Sequence, residues 1–279
     1  MLETRDLTIR FGGHVAVDHV SCAFAPGTLT SIVGPNGAGK TTYFNLISGQ
    51  LPASEGTVAL DGEDITSLPA PARTKRGLGR AFQLTQLFPN LSVHENVRLA
   101  IQARQAGRAG GGVWGALDMW RIWSDRQEWI AEAQQVLEQV QLADKARSPA
   151  SSLPHGDQRK LEVAMLIALD PKVFMFDEPT AGMSVDEVPV VLDLIRQLKS
   201  RKEVVILLVE HKMDVVRELS DRIIVLHNGQ LVADGEPAEV IASPVVQQAY
   251  LGGSATEAGP AAVHDGTPPR PLPAERGGS

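Results

Sequence analysis

The run GPNGAGKTT, residues 34–42, restricts this chain more than any other stretch. It follows an apolar segment, residues 29–33, and leads into Tyr43, Phe44, Leu46 and Ile47 before a stop at Gly49. That order predicts strand, glycine loop, helix. Gly34, four intervening residues and then Gly39, Lys40 and Thr41 fit the spacing of a phosphate-binding P-loop. Glycines let backbone N–H groups turn inward without a Cβ clash, and a helix N-terminus adds partial positive charge. In such a loop Lys40 rests on the outer phosphates and the Thr41 hydroxyl on Mg²⁺. A glycine-rich turn alone is usually only a turn; the full match between strand and helix is what favours phosphate.

At 279 residues the chain can bury a substantial core, and we expect one domain with an inserted lobe. A formal charge of −7 argues against a general nucleic-acid coat, which normally shows a basic surface. Cys22 is the sole cysteine, so no intrachain disulfide can form and no zinc cluster is expected; a reducing compartment fits. The N-terminal text, MLETRDLTIRF, carries acids early and no apolar centre, unlike a secretory signal. No apolar run approaches the ~18–20 residues needed to cross a bilayer, so a membrane link is expected to come through a partner.

Along the chain, Leu7, Ile9 and Phe11 alternate with polar residues, the period of a half-buried strand. Phe11 either stacks on an adenine ring or ends that strand in the core. Residues 56–60 followed by Asp61 and Gly62 read as a strand entering a tight hairpin, so the early strands predict an antiparallel flap beside a parallel core. In residues 77–96, GLGRAFQLTQLFPNLSVHEN, an apolar segment ends near the amide Gln83, a polar group able to reach Mg²⁺ or an attacking water. Leu87, Phe88 and Pro89 form an apolar loop that either packs internally or receives a docking partner. Residues 106–112, AGRAGGG, form a joint, and Trp114, Trp120, Trp123 and Trp129 follow it. Their helical stripe is the packing face of an inserted lobe or a contact with a membrane partner or headgroups.

Residues 151–169, SSLPHGDQRKLEVAMLIAL, begin with turn formers and become an apolar helix. Pro154 and Gly156 put a bare helix start beside His155, which is either a second anion site or merely a helix start. Residues 173–176 are fully apolar, as in a central strand covered on both faces, and deliver Asp177 and Glu178 at the carboxyl end. There Asp177 can hold Mg²⁺ through water and Glu178 can polarise the attacking water. Residues 204–209 form the next buried strand and end in Glu210 and His211, the latter placed to contact a γ-phosphate. Asn228-Gly229 marks a hairpin, and residues 253–279, rich in Gly, Pro and Ala, read as a disordered tail.

With these stations in one order, residues 2–252 resemble the nucleotide-binding subunit of an ATP-binding-cassette (ABC) transporter. The resemblance implies an α/β fold: a P-loop NTPase, RecA-like core with an N-terminal antiparallel β flap and an inserted α-helical subdomain at about residues 92–168. Phe11 matches the adenine-stacking aromatic. Gly34, Pro35, Asn36, Gly37, Ala38, Gly39, Lys40, Thr41 and Thr42 match the Walker A loop, Gln83 the Q-loop, and Asp177 with Glu178 the Walker B pair. Residues 182–186 match the D-loop region and His211 the switch histidine. Glu178, His211 and Lys40 are thus the expected catalytic residues, and Thr41, Gln83 and Asp177 the expected metal contacts. Pro154, His155, Gly156 and Asp157, in LPHGD, occupy the place of the LSGGQ signature that completes the site in trans. Proline replaces the signature serine, a loss of roughly 1.5–3 kcal/mol of contact unless the His155 imidazole donates instead.

RAFQLTQLFPNLSVHENV, LPHGDQRKLEVAM, AGMSVDE, EHKMD and QAYLG look most like ATPases of branched-chain amino acid importers, a type that also handles urea and amides. ATPases of lipid or lipopolysaccharide export share several of these features, and soluble non-transport ABC ATPases are a third class. The resemblance implies ATP and Mg²⁺ as ligands, a homodimer or a pair with a related ATPase, integral permease subunits as partners, no nucleic acid, and a peripheral place on the cytoplasmic face of the inner membrane.

Overall fold

A computed structural model of the chain describes residues 1–81, 87–108 and 126–254. The N-terminal hairpin joins β1, Leu2–Phe11, to β2, His14–Phe24, and is followed by the short buried strand β3, Leu29–Val33. Helix α1, Lys40–Ser48, starts within the glycine loop and stops at Gly49, whose left-handed conformation caps it. Next come β4, Glu55–Leu60, β5, Glu63–Asp64, helix α2, Ala70–Lys75, and β6, Leu78–Ala81. A helical region follows with α3, Val93–Arg108, α4, Arg126–Gln139, and α5, His155–Leu169. The chain then alternates through β7, Val173–Asp177, α6, Val188–Lys199, β8, Val205–Val209, and α7, Met213–Leu219. It closes with β9, Arg222–His227, β10, Gln230–Gly235, α8, Pro237–Ala242, and α9, Pro244–Ser254.

Two sheets result. The antiparallel one has the order β2-β1-β4-β5 and the other β10-β9-β3-β8-β7-β6, parallel throughout except for β10 at its edge. The first strand begins at Leu2, ahead of the residues whose alternation marks it in the sequence, because Leu2 and Thr4 pair on both sides, with β2 and β4. Side chains alternate between two cores, as period-2 geometry requires. Phe174, Phe176, Ile206 and Leu208 face the helices α3 to α6; Val173, Met175, Val205 and Leu207 face α1 and the antiparallel sheet. Strands β7 and β8 read as unbroken apolar runs because both faces are covered.

Two polar devices fix the frame. The wholly buried Arg73 donates from Nη1 to the carbonyls of Leu46 and Ile47, each at 2.7 Å, satisfying the end of α1. Ser92 and Glu95 form a reciprocal cap at the start of α3: the Ser92 amide donates to the Glu95 carboxylate at 2.9 Å, and the Glu95 amide to the Ser92 hydroxyl at 3.2 Å. Trp129 is buried in the core under the helices; the rest of the tryptophan stripe, Trp114, Trp120 and Trp123, lies outside the described residues. Helix α9 runs two residues past Gly252 to Ser254, and the expected tail beyond it also lies outside them.

Candidate functional site

Strands β3, β8 and β7 are neighbours and parallel, so their carboxyl ends share one edge of the sheet. Val33 delivers the glycine loop there, Val209 delivers Glu210 and His211, and β7 ends in Asp177 with Glu178 next. Ligands of such sheets bind at this edge. Helix α1 opens without a side-chain cap: Gly39, at φ 95°, is its N-cap. A Cβ at Gly39 would run into the carbonyl oxygen of Ala16, so only glycine fits. With no side-chain cap, the first amides of α1 remain available to an anion. Lys40 is buried, and its ammonium donates to the carbonyls of Gly34 at 2.7 Å and Pro35 at 2.9 Å. Burial pushes its pKa down, against the attraction of Glu178 and Asp177. Asn36, Gly37 and Thr41 are exposed, as is Phe11, at 49%. That exposure removes the reading of Phe11 as a core residue.

The two acids of β7 meet different surroundings. Glu178 sits in the left-handed region at φ 49°, with its amide donating to the Val209 carbonyl at 2.9 Å. This turn swings its carboxylate to His211, whose Nε2 lies 2.7 Å from Oε1. Asp177 is buried: Oδ2 accepts from Arg80 at 2.7 Å, while Oδ1 has no hydrogen-bond partner among the described residues. Burial raises the Asp177 pKa and the Arg80 guanidinium opposes that rise. A buried carboxylate oxygen with no hydrogen bond among the described residues, at the sheet edge that carries the phosphate loop, fits a hydrated Mg²⁺, as does the hard-oxygen donor set of Asp177 and Thr41. Among the described residues no three His, Cys, Asp or Glu gather in the arrangement of a metal site. Gln83, the third expected metal contact, lies outside the described residues.

A second bare helix start belongs to α5, with Pro154 as N-cap and no side-chain cap. Pro154 and His155 are exposed; Gly156 and Asp157 are buried. Asp157 bonds to the ammonium groups of Lys145 and, at 3.1 Å, Lys160. Burial raises its pKa, but those two bonds prevail and the net shift is downward. The His155 ring borders Gly182. The carboxylate of Glu187 lies directly over Gly156, where even one added Cβ would collide with both its oxygens. Glu187 is held there by the Ser184 amide at 3.0 Å and hydroxyl at 2.8 Å, contacts that lower its pKa.

Sequence reasoning gave no role to three buried or site-facing charges: Arg80, Glu187 and Glu210, the last named only as the end of a strand. Glu210 is buried, accepts from Thr180 at 3.4 Å, and has its pKa raised by burial. A charge inside an otherwise apolar strand, as in GLGRAF, was the available signal for Arg80.

The sequence profile described as "ABC transporter" matches residues 17–181 of the chain. The chain belongs to that family. It is therefore an ATP-binding, ATP-hydrolysing subunit that energises a membrane transporter, and the P-loop NTPase core and flap expected from the sequence are the fold observed. A second profile, "Branched-chain amino acid ATP-binding cassette transporter", matches residues 230–256 of this ABC subunit. It is 36% identical over 252 residues to the high-affinity branched-chain amino acid transport ATP-binding protein BraF of Pseudomonas aeruginosa, covering 90% of this chain and 98% of that one. It is 32% identical over 259 residues to a probable branched-chain amino acid transport ATP-binding protein LivG of Archaeoglobus fulgidus, covering 92% and 97%. Among solved structures it is similar to a nucleotide-free ATP-binding cassette from an ABC transporter, with a TM-score of 0.74 and 29% identity over 90% of this chain and 98% of that one. Among the described residues, no helix of this subunit is long and apolar enough to cross a membrane.

Proposed function

We propose that this ABC ATPase powers uptake of branched-chain amino acids or related polar compounds such as urea and amides. The cargo reading is supported by the relatives' names and by the match of the branched-chain profile at β10 to α9. We assign residues 1–252 to one ATPase domain, with a helical lobe at about 92–168, standing peripherally on the cytoplasmic face of the inner membrane beside permease subunits. A cleft of about 420 Å³, lined by Leu87, Phe88, Leu99, Ala103 and Met165, supports docking of a permease segment at the loop flagged in the sequence.

The observation that carries the catalytic assignment is the 2.7 Å contact between Glu178 and His211 beside the glycine loop. Lys40, Gly34 to Thr42 and the amides of α1 bind the phosphates, and the exposed Phe11 stacks on the adenine. Glu178 orients and polarises the water that attacks the γ-phosphorus, and His211 holds the Glu178 carboxylate and senses the γ-phosphate. Asp177 and Thr41, with Gln83, hold Mg²⁺, which supplies neutralisation of phosphate charge when bound.

Two chains sandwich ATP head to tail, each giving a P-loop to one site and Pro154, His155, Gly156 and Asp157 to the other. Acidic subunits have little electrostatic reason to associate, so nucleotide that binds the closed pair better supplies it, by about 2.7 kcal/mol at ~100 times its Kd. Closing displaces the Glu187 carboxylate from Gly156. The test is size-exclusion chromatography of Glu178→Gln with ATP and Mg²⁺: a stable dimer is expected, and monomer alone at saturating ATP overturns the sandwich. Proteoliposomes holding the permease and receptor test the cargo reading; ATPase stimulation by none of the branched-chain amino acids, urea or amides would overturn it.

A further inference from the structure

Arg80 sits on β6, outside the motifs that mark the site, yet its side chain is only 6% exposed and ends against the fully buried carboxylate of Asp177. Its fork is used from both sides. Nη2 donates to Asp177 Oδ2 at 2.7 Å, while Nη1 donates to Asn45 Oδ1 at 2.6 Å and to Ser48 Oγ at 2.9 Å. Asn45 and Ser48 belong to α1, the helix whose first residue is Lys40. The guanidinium carbon also stands 4.9 Å from the centre of the Phe44 ring, so the plane of the fork is set as well as its charge. One side chain thus ties three elements together: β6, the phosphate-loop helix and the strand that ends in the Walker B pair.

The geometry has one chemical result. A carboxylate carries two oxygens, and Arg80 takes one of them, leaving Oδ1 buried and without a hydrogen-bond partner among the described residues. Were the carboxylate free to rotate, either oxygen could turn toward the loop. We propose that Arg80 is a positioning residue of this ATPase, which locks Asp177 against α1 so that Oδ1 is presented to the cation accompanying the nucleotide. The inference rests on the reading of Asp177 as a metal contact. Arginine is required for its fork: an ammonium can reach the carboxylate or α1 but cannot hold both in one plane.

The test titrates the full-length chain with a fluorescent ATP analogue, once in EDTA and once in Mg²⁺, and follows thermal unfolding of each protein. Parent, Arg80→Met, Arg80→Lys and the double variant Asn45→Ala/Ser48→Ala are compared. Affinity in EDTA should stay within about twofold of the parent throughout, since Lys40 and the loop amides are untouched. The gain in affinity on adding Mg²⁺ should fall about tenfold in Arg80→Met, the equivalent of ~1.4 kcal/mol. Arg80→Lys should recover part of it, and the double variant should lose part with Arg80 still present. A purely structural arginine would lower the unfolding midpoint and leave the Mg²⁺ increment alone; that result in Arg80→Met overturns the proposal. If Arg80→Met does not fold, the double variant decides, an undiminished increment again overturning it. A parent that shows no Mg²⁺ increment at all removes the metal reading and this proposal together, whereas an increment kept by every variant removes this proposal only.

Discussion

Glu178 holds a left-handed backbone at φ 49°, a conformation that costs a residue with a Cβ about 1–2 kcal/mol. The cost is met by the amide bond to Val209 and the contact with His211, and the strained turn is what separates the directions of two successive acids. Glu187 presents the converse case, a carboxylate parked over Gly156, where the proposed sandwich would bring the triphosphate of a second chain. Two like charges about 5 Å apart oppose each other by a few kcal/mol at the effective dielectric of a protein surface, less after screening. In the Glu178→Gln background, Glu187→Gln should therefore lower the ATP concentration needed for dimerisation by about tenfold while keeping an acceptor for Ser184. Light scattering across an ATP titration checks this, and an unchanged midpoint contradicts it. Glu178 and His211 were legible in sequence because each ends an apolar strand. Glu187 was not, because nothing in AGMSVDE says that its side chain folds back onto another helix.

At the scale of elements, α5 begins bare at its N-cap but is braced within its first turn, where Asp157 pairs with Lys145 and Lys160. The folded pKa of Asp157 is depressed, so the stability it contributes is present above the unfolded carboxylate value and is lost as pH falls through the folded one. Asp157→Asn should cost about 1.5 kcal/mol near neutral pH, the low end for bonds to a charge because Lys145 is partly solvated. The difference between parent and variant should shrink below about pH 4. Denaturant unfolding at several pH values measures it; a difference independent of pH would assign the cost to packing. The helix itself was readable from its apolar run and the following Asp170-Pro171. Its start at His155 depended on Pro154, while Ala150–Ser152 forms a separate 3₁₀ turn.

At the scale of the molecule, the apolar cleft between β6 and the helices is the proposed docking place of a permease segment. Phe88 is 49% exposed at its rim, and the buried Asn96 fixes the loop by accepting from the Phe88 amide at 2.8 Å and donating to its carbonyl at 3.1 Å. Phe88→Glu should abolish co-purification with the permease in detergent while shifting stability by less than about 0.5 kcal/mol, as for most surface changes. Retained co-purification would place the docking elsewhere. By itself the sequence determined the P-loop, the order of buried strands and the acids and histidine at their ends, because spacing and period are local properties of a chain. Only the tertiary structure decided that Arg80 reaches Asp177 across 97 residues and that Glu187 covers Gly156. Those contacts join segments brought together by sheet order and helix packing, and no local pattern encodes the distance between them.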